Sequence, residues 1–164
     1  MSEITTIGGV LDELDDIIEI TVNEGSQLAI FAFVYRRTTA KIAEGIERGQ
    51  FEDARRMERF DVDFAKKYIR AFWGYRHDKP VSLVWKIAFD AAKDPGGRKP
   101  VILQHLLLGM NAHINLDLGI AAAETVPDGQ IQPLKKDFMM VNTLLEQLIN
   151  EMQERISEHR RCCF

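Results

Sequence analysis

His113 and Asp117 stand four residues apart, and His105 stands eight residues before His113. On a helix, a four-residue spacing places two side chains one turn apart on one face. Neutral imidazole and ionised carboxylate are good ligands for zinc or iron, so the pair suits a metal or catalytic site. His105 drifts by about 80° around the same axis. It joins the pair if the site sits over Gly109, whose missing side chain leaves room. Two ligands do not make a metal site, so a further group must come from another helix.

Asp61 is the first candidate. It lies inside an apolar stripe made by Met57, Phe64, Ala65 and Tyr68. A carboxylate there is costly unless something compensates its charge. Tyr35 also faces inward, and Asp137 and Asn142 flank the seam of the last helix. The residues suggest a small helical protein with an internal polar site; if it is an enzyme, the chemistry expected is metal-assisted hydrolysis of a small-molecule substrate. His113 and Asp117 would be metal ligands, Asp61 a further ligand or general base, and His105 a ligand or acid–base group. A divalent zinc, manganese or iron ion would lower the pKa of a bound water and create a nucleophile. The opposing reading is a buried hydrogen-bond network in a non-enzymatic binding or structural protein. Asp61 and Asp117 would then accept from His105, His113, Tyr35 or Arg36. A metal-free ligand pocket is the third reading.

These residues need elements to hold them. Apolar residues recur every three or four positions and no period-two strand is visible, so the class is all-α. Six helices are predicted. They cover about Thr6 to Val22, Gln27 to Arg48, Phe51 to Tyr75, Pro80 to Lys93, Pro100 to Thr125 and Pro133 to His159. Thr5 or Thr6 can cap the first, Gly49 ends the second, and Pro80 suits the first turn of the fourth. Asp94-Pro95-Gly96-Gly97 and Pro127-Asp128-Gly129 read as turns. The fifth helix carries the candidate site and is apolar nearly all round, so the other five should surround it. Gln104, Asn111 and Asn115 leave its opposite side and should bond to neighbouring helices. The architecture expected is one domain over residues 1–164, an irregular bundle around this central helix.

Composition narrows the classes. The chain has 164 residues, 46% hydrophobic and 28% charged, with a net charge of -4. That balance suits a globular domain and gives no reason to expect a nucleic-acid partner. No phosphate-binding loop, nucleophile elbow or spaced cysteine metal motif is present. Cys162 and Cys163 are adjacent, which implies no disulfide framework. No signal peptide is visible, and the expected compartment is the cytoplasm. Val101 to Ala123 is long enough to span a bilayer, but its His, Asn and Asp residues would be costly in lipid. Self-association through an apolar strip on the first or last helix is left open.

The segment Leu107-Leu108-Gly109-Met110-Asn111-Ala112-His113-Ile114-Asn115-Leu116-Asp117-Leu118 resembles the signature of an uncharacterised bacterial family of helical proteins, known as a domain of unknown function. Further matches lie in Val34-Tyr35-Arg36-x-Thr38, in Phe60-Asp61-Val62-Asp63-Phe64-Ala65-x-x-Tyr68 and in Asp137-Phe138-x-x-Val141-Asn142. The resemblance implies a helical fold and supports the choice of region. It implies no activity. His113-x-x-x-Asp117 also resembles one fragment of the zinc-dependent phospholipase C group, which uses several more histidines than the four in this chain.

Overall fold

The computed structural model describes residues 4–93, 102–126 and 132–162, and among them it contains helices and no strand. The elements are α1 (Ile7–Asn23), α2 (Leu28–Glu47), α3 (Ala54–Arg76), α4 (Leu83–Asp90), α5 (Ile102–Ala112), α6 (Leu118–Thr125) and α7 (Lys135–Cys162). A π-helical turn at His113–Asp117 joins α5 to α6 without a break. The two therefore form one rod, and the described chain is a bundle of six rods, as expected. The predicted turns at residues 94–97 and 127–129, the helix start at Pro100 and the Cys163 side of the cysteine pair lie outside the described residues.

Local chemistry sets most boundaries. Thr6 caps α1 by accepting the Gly9 N–H at 3.1 Å. Asp53 caps α3 by accepting the Arg56 N–H at 2.9 Å. Gly49 closes α2 with φ of 66°, a left-handed conformation that glycine adopts without strain. Pro80 does not open α4. Ser82 accepts the Trp85 N–H, so that helix starts at Leu83.

Packing divides the interior into two apolar clusters. Leu14, Ile17, Ala32, Tyr68, Ile69, Phe72 and Trp85 fill the space among α1 to α4. Ile42, Met57, Phe60, Ala121 and Leu144 join α2, α3, α6 and α7. The stripe read along α3 is thus largely the core-facing one.

The α5–α6 rod lies against α2, α3 and α4, but the bundle does not enclose it. Leu107 is 55% exposed and Ile114 48%. Gln104, Asn111 and Asn115 are exposed as well. Asn115 donates to Asn111 at 2.6 Å on that outer face, so this pair bonds within the helix and not across to a neighbour. The physical reason is that α7 packs chiefly on α2. An all-round apolar sequence shows what a helix tolerates, not how many neighbours cover it. By length and composition alone, Gln104–Thr125 also meets the requirement for a membrane span.

Gly109 is required by a close approach. A Cβ there would stand 2.5 Å from a Phe31 ring carbon. Phe31 itself is wedged against Tyr35, Tyr68 and Trp85. Gly109→Ala is therefore expected to cost about 1–3 kcal/mol through overpacking. Urea unfolding would measure it, and an unchanged midpoint would contradict this packing.

Candidate functional site

The site is built around His113. Its ring is stacked on Phe64 at 3.7 Å between centroids, with 7° between planes. The edge of Tyr35 closes another side at 4.4 Å. Phe31, Tyr68 and Trp85 complete the surround. His113 is only 3% exposed.

The π-turn sets the polar contacts. The Leu118 N–H donates to the His113 carbonyl, five residues back in place of four. Such wide turns are frequent at functional sites. Within the turn, His113 Nδ1 lies 3.0 Å from Asp117 Oδ2. The Trp85 indole N–H donates to the same oxygen at 2.9 Å. Asp117 thus acts as an acceptor from α4 and from its own turn. It follows that the neutral imidazole carries its proton on Nδ1 and keeps a lone pair on Nε2. Burial holds the His113 pKa below its usual value, and Asp117 offsets part of that effect. The ring is therefore neutral at pH 7.

Asp61 comes in from α3 and is 1% exposed. It makes no ion pair with Arg36, which forks onto Asp15 at the surface instead. Burial pushes its carboxyl up to about 7. Tyr35 comes from α2, and burial, with Asp61 and Asp117 nearby, keeps its phenol un-ionised.

Asp61, Tyr35 and His113 line one cavity of about 260 Å³ between α2, α3, the π-turn and α7. Most of the remaining wall is apolar, with Phe60, Met110, Leu118, Leu134, Phe138 and Val141 prominent. Three buried polar atoms on these three residues make no well-formed hydrogen bond among the described residues: Asp61 Oδ2, the Tyr35 hydroxyl, which has the Thr39 hydroxyl as a neighbour, and His113 Nε2. Buried polar atoms are seldom left so, because each costs about 1–3 kcal/mol.

His105 falls elsewhere. It lines a second pocket of about 10 Å³ with Gln27, Trp85 and Gly109. That is about the room of one water. Phe31 lines both pockets, and its ring occupies the space that the missing Gly109 side chain was expected to leave for a site. Both ring nitrogens of His105 and Gln27 Oε1 are buried and have no hydrogen-bond partner among the described residues. Burial also lowers the His105 pKa. Asp137 does not reach the central region. It is buried against Arg56 at 2.6 Å and accepts the Glu52 N–H at 2.8 Å. Asn142 does line the large cavity.

Of the four residues expected as metal ligands, then, Asp61 and His113 share the large cavity and Asp117 stands behind His113. Among the described residues, no three His, Cys, Asp or Glu side chains are grouped to hold a metal ion. Neither Trp85 nor Phe64 is among the candidate site residues that spacing and residue type single out. A buried indole N–H must find an acceptor, which is the one signal that pointed from Trp85 to a carboxylate. Nothing in the spacing of Phe64 announces its stack on His113.

Fold and site together define a small all-helical protein with an apolar cavity between its helices, lined by His113 with Asp117 bonded behind it. A family model described as a family of unknown function, DUF5995, matches residues 7–163. The chain belongs to that family. No curated protein and no solved structure matches it.

Proposed function

We propose that this protein binds a neutral, largely apolar organic molecule that carries one hydroxyl or carbonyl group. The observation behind this reading is that three residues lining an apolar cavity each carry a buried polar atom with no hydrogen bond among the described residues. Ligand pockets combine mostly apolar walls with a few polar groups that fix orientation, and this cavity is near their small end. A satisfied structural network would leave no such atoms. Among the described residues no Lys or Arg lines the cavity, so an anionic head group would find no counter-charge from them beside Asp61. Metal-assisted hydrolysis at the same wall needs a third ligand beside Asp61 and His113, and the described side chains group none there.

Titration calorimetry with ten-carbon probes tests the reading. Decanol and decanone are expected to bind, with decanoate at least about tenfold weaker because its charge would be buried unpaired. Val141→Phe, which adds bulk to the α7 wall, should weaken binding at least about tenfold. Tightest binding of decylammonium would overturn the neutral ligand in favour of a cation paired with Asp61. No binding of any probe, or binding unchanged by Val141→Phe, would overturn the pocket itself.

A further inference from the structure

Resting on that binding reading, we propose that the cavity is an active site that shifts a proton between carbons of a β,γ-unsaturated ketone, giving the conjugated isomer without metal or cofactor. Proton abstraction beside a carbonyl needs a base aimed at carbon and donors aimed at the carbonyl oxygen. Residues of the wall carry groups of both kinds. His113 Nε2 has a lone pair and no partner, while its Nδ1–H is held by Asp117, itself held by Trp85. That chain orients the ring and stabilises the imidazolium that forms when Nε2 takes a proton. Asp61 and Tyr35 are the two remaining ionisable residues on the cavity wall. Asp61 holds its proton below about pH 7 and Tyr35 well above it, so below that value each can donate a hydrogen bond. A protonated aspartic acid beside a tyrosine is an established way to hold an oxyanion in an apolar site.

The step balances within the substrate. His113 Nε2 removes a proton from the carbon between the carbonyl and the double bond. The electron pair of that C–H bond forms a new C=C, and the carbonyl π pair moves to oxygen, held by the Asp61 and Tyr35 O–H groups. The imidazolium then returns its proton to the γ-carbon. The π pair of the original double bond forms that new C–H bond, the C=C pair of the dienolate shifts to the α,β position as the conjugated double bond, and the oxygen pair restores C=O. Nothing is oxidised or reduced, and His113 ends as it began. Phe64, stacked on the imidazole, and the surrounding aromatic rings exclude the water that would otherwise quench the base.

The pH profile follows from the groups around His113: Tyr35 from α2, Asp61 and Tyr68 from α3 and Asp117 from its own turn, with both phenols kept un-ionised by burial. Trp85 from α4 and Asn142 from α7 add no charge. Activity should fall on the acid side as His113 gains a proton, below its ordinary range. It should fall on the alkaline side near pH 7 as Asp61 ionises.

The test uses two bicyclic ten-carbon ketones with the whole protein: saturated decalone for binding, and β,γ-unsaturated octalone for turnover, read as ultraviolet absorbance of the conjugated product. Decalone should bind and octalone should isomerise faster than in buffer. His113→Gln should lower kcat at least about 100-fold. Asp61→Asn should lower kcat at least about tenfold and abolish the alkaline limb of the profile. If decalone binds but octalone turns over no faster than with His113→Gln, the catalytic proposal fails while the binding reading stands. If decalone does not bind, the binding reading fails and takes this proposal with it. Should His113→Gln fail to fold, Asp61→Asn decides, since loss of the alkaline limb is not a consequence of structural damage.

Discussion

Replacing Asp61 by Asn is expected to stabilise the folded protein by up to about 4 kcal/mol near pH 8, and by almost nothing near pH 4. The cause is burial without a counter-charge. The Asp61 carboxyl titrates near 7 in the fold against about 3.8 for an ordinary aspartate. Below the ordinary value both folded and unfolded chains hold the proton, and the group contributes nothing. Between the two values the unfolded chain releases its proton while the folded chain keeps it, so stability falls as pH rises. Above about 7 the deficit is complete, and a difference of roughly three units at 1.36 kcal/mol each gives the figure stated. Asn carries no charge at any pH and escapes the loss. For a chain of this length the gain corresponds to roughly 10 °C in Tm.

His113 acts with the opposite sign. Its folded pKa lies below the unfolded one, so it costs stability as pH drops through the unfolded value and the unfolded chain takes up the proton. Comparing Asp61→Asn with the parent at each pH cancels that contribution. Thermal melts between about pH 4 and pH 8 supply the measurement. An equal shift at both ends, or a loss of stability near pH 8, would show that Asp61 has a partner after all. A stabilising substitution at a candidate active residue is what a site kept for function at the expense of stability predicts.

Arg56→Met is expected to destabilise the fold by about 3–5 kcal/mol. Asp137 is 1% exposed, and its Oδ2 accepts from Arg56 at 2.6 Å. Removing the guanidinium leaves a buried carboxylate with the Glu52 N–H as its remaining described partner. The pair fastens the start of α7 to α3, and α7 supplies Phe138, Val141 and Asn142 to the cavity wall. Decanol binding should therefore weaken along with stability. Adding Asp137→Leu should recover much of the loss, because replacing a whole buried pair by apolar groups is often neutral. Urea midpoints of the single and double variants measure both effects. A single variant as stable as the parent would mean that α7 is held by its apolar seam alone.

Much of the architecture was legible in the chain. The three- and four-residue spacing of apolar side chains fixed the helical class, and Thr6 and Gly49 marked helix ends that local hydrogen bonding and backbone freedom then produced. The unusual Asp61 was also visible, because one carboxylate in an apolar stripe contradicts its surroundings. His113 and Asp117 were legible as a pair because four residues along a helix is a short-range relation. Pro80 misled, since a capping serine two residues later competed with it and won.

What the sequence by itself determined, then, are the relations that local periodicity controls: the helices, their inner faces, and which polar residues sit out of place. Tertiary structure alone decided which of those residues meet. It put Phe31 into the space over Gly109 and so separated His105 from His113. It brought Trp85 to Asp117 and left the outer face of the α5–α6 rod uncovered. It opened a cavity where α7 leans on α2. The reason is that periodicity constrains one helix at a time, whereas the fit of ring against backbone is settled only when several helices pack together.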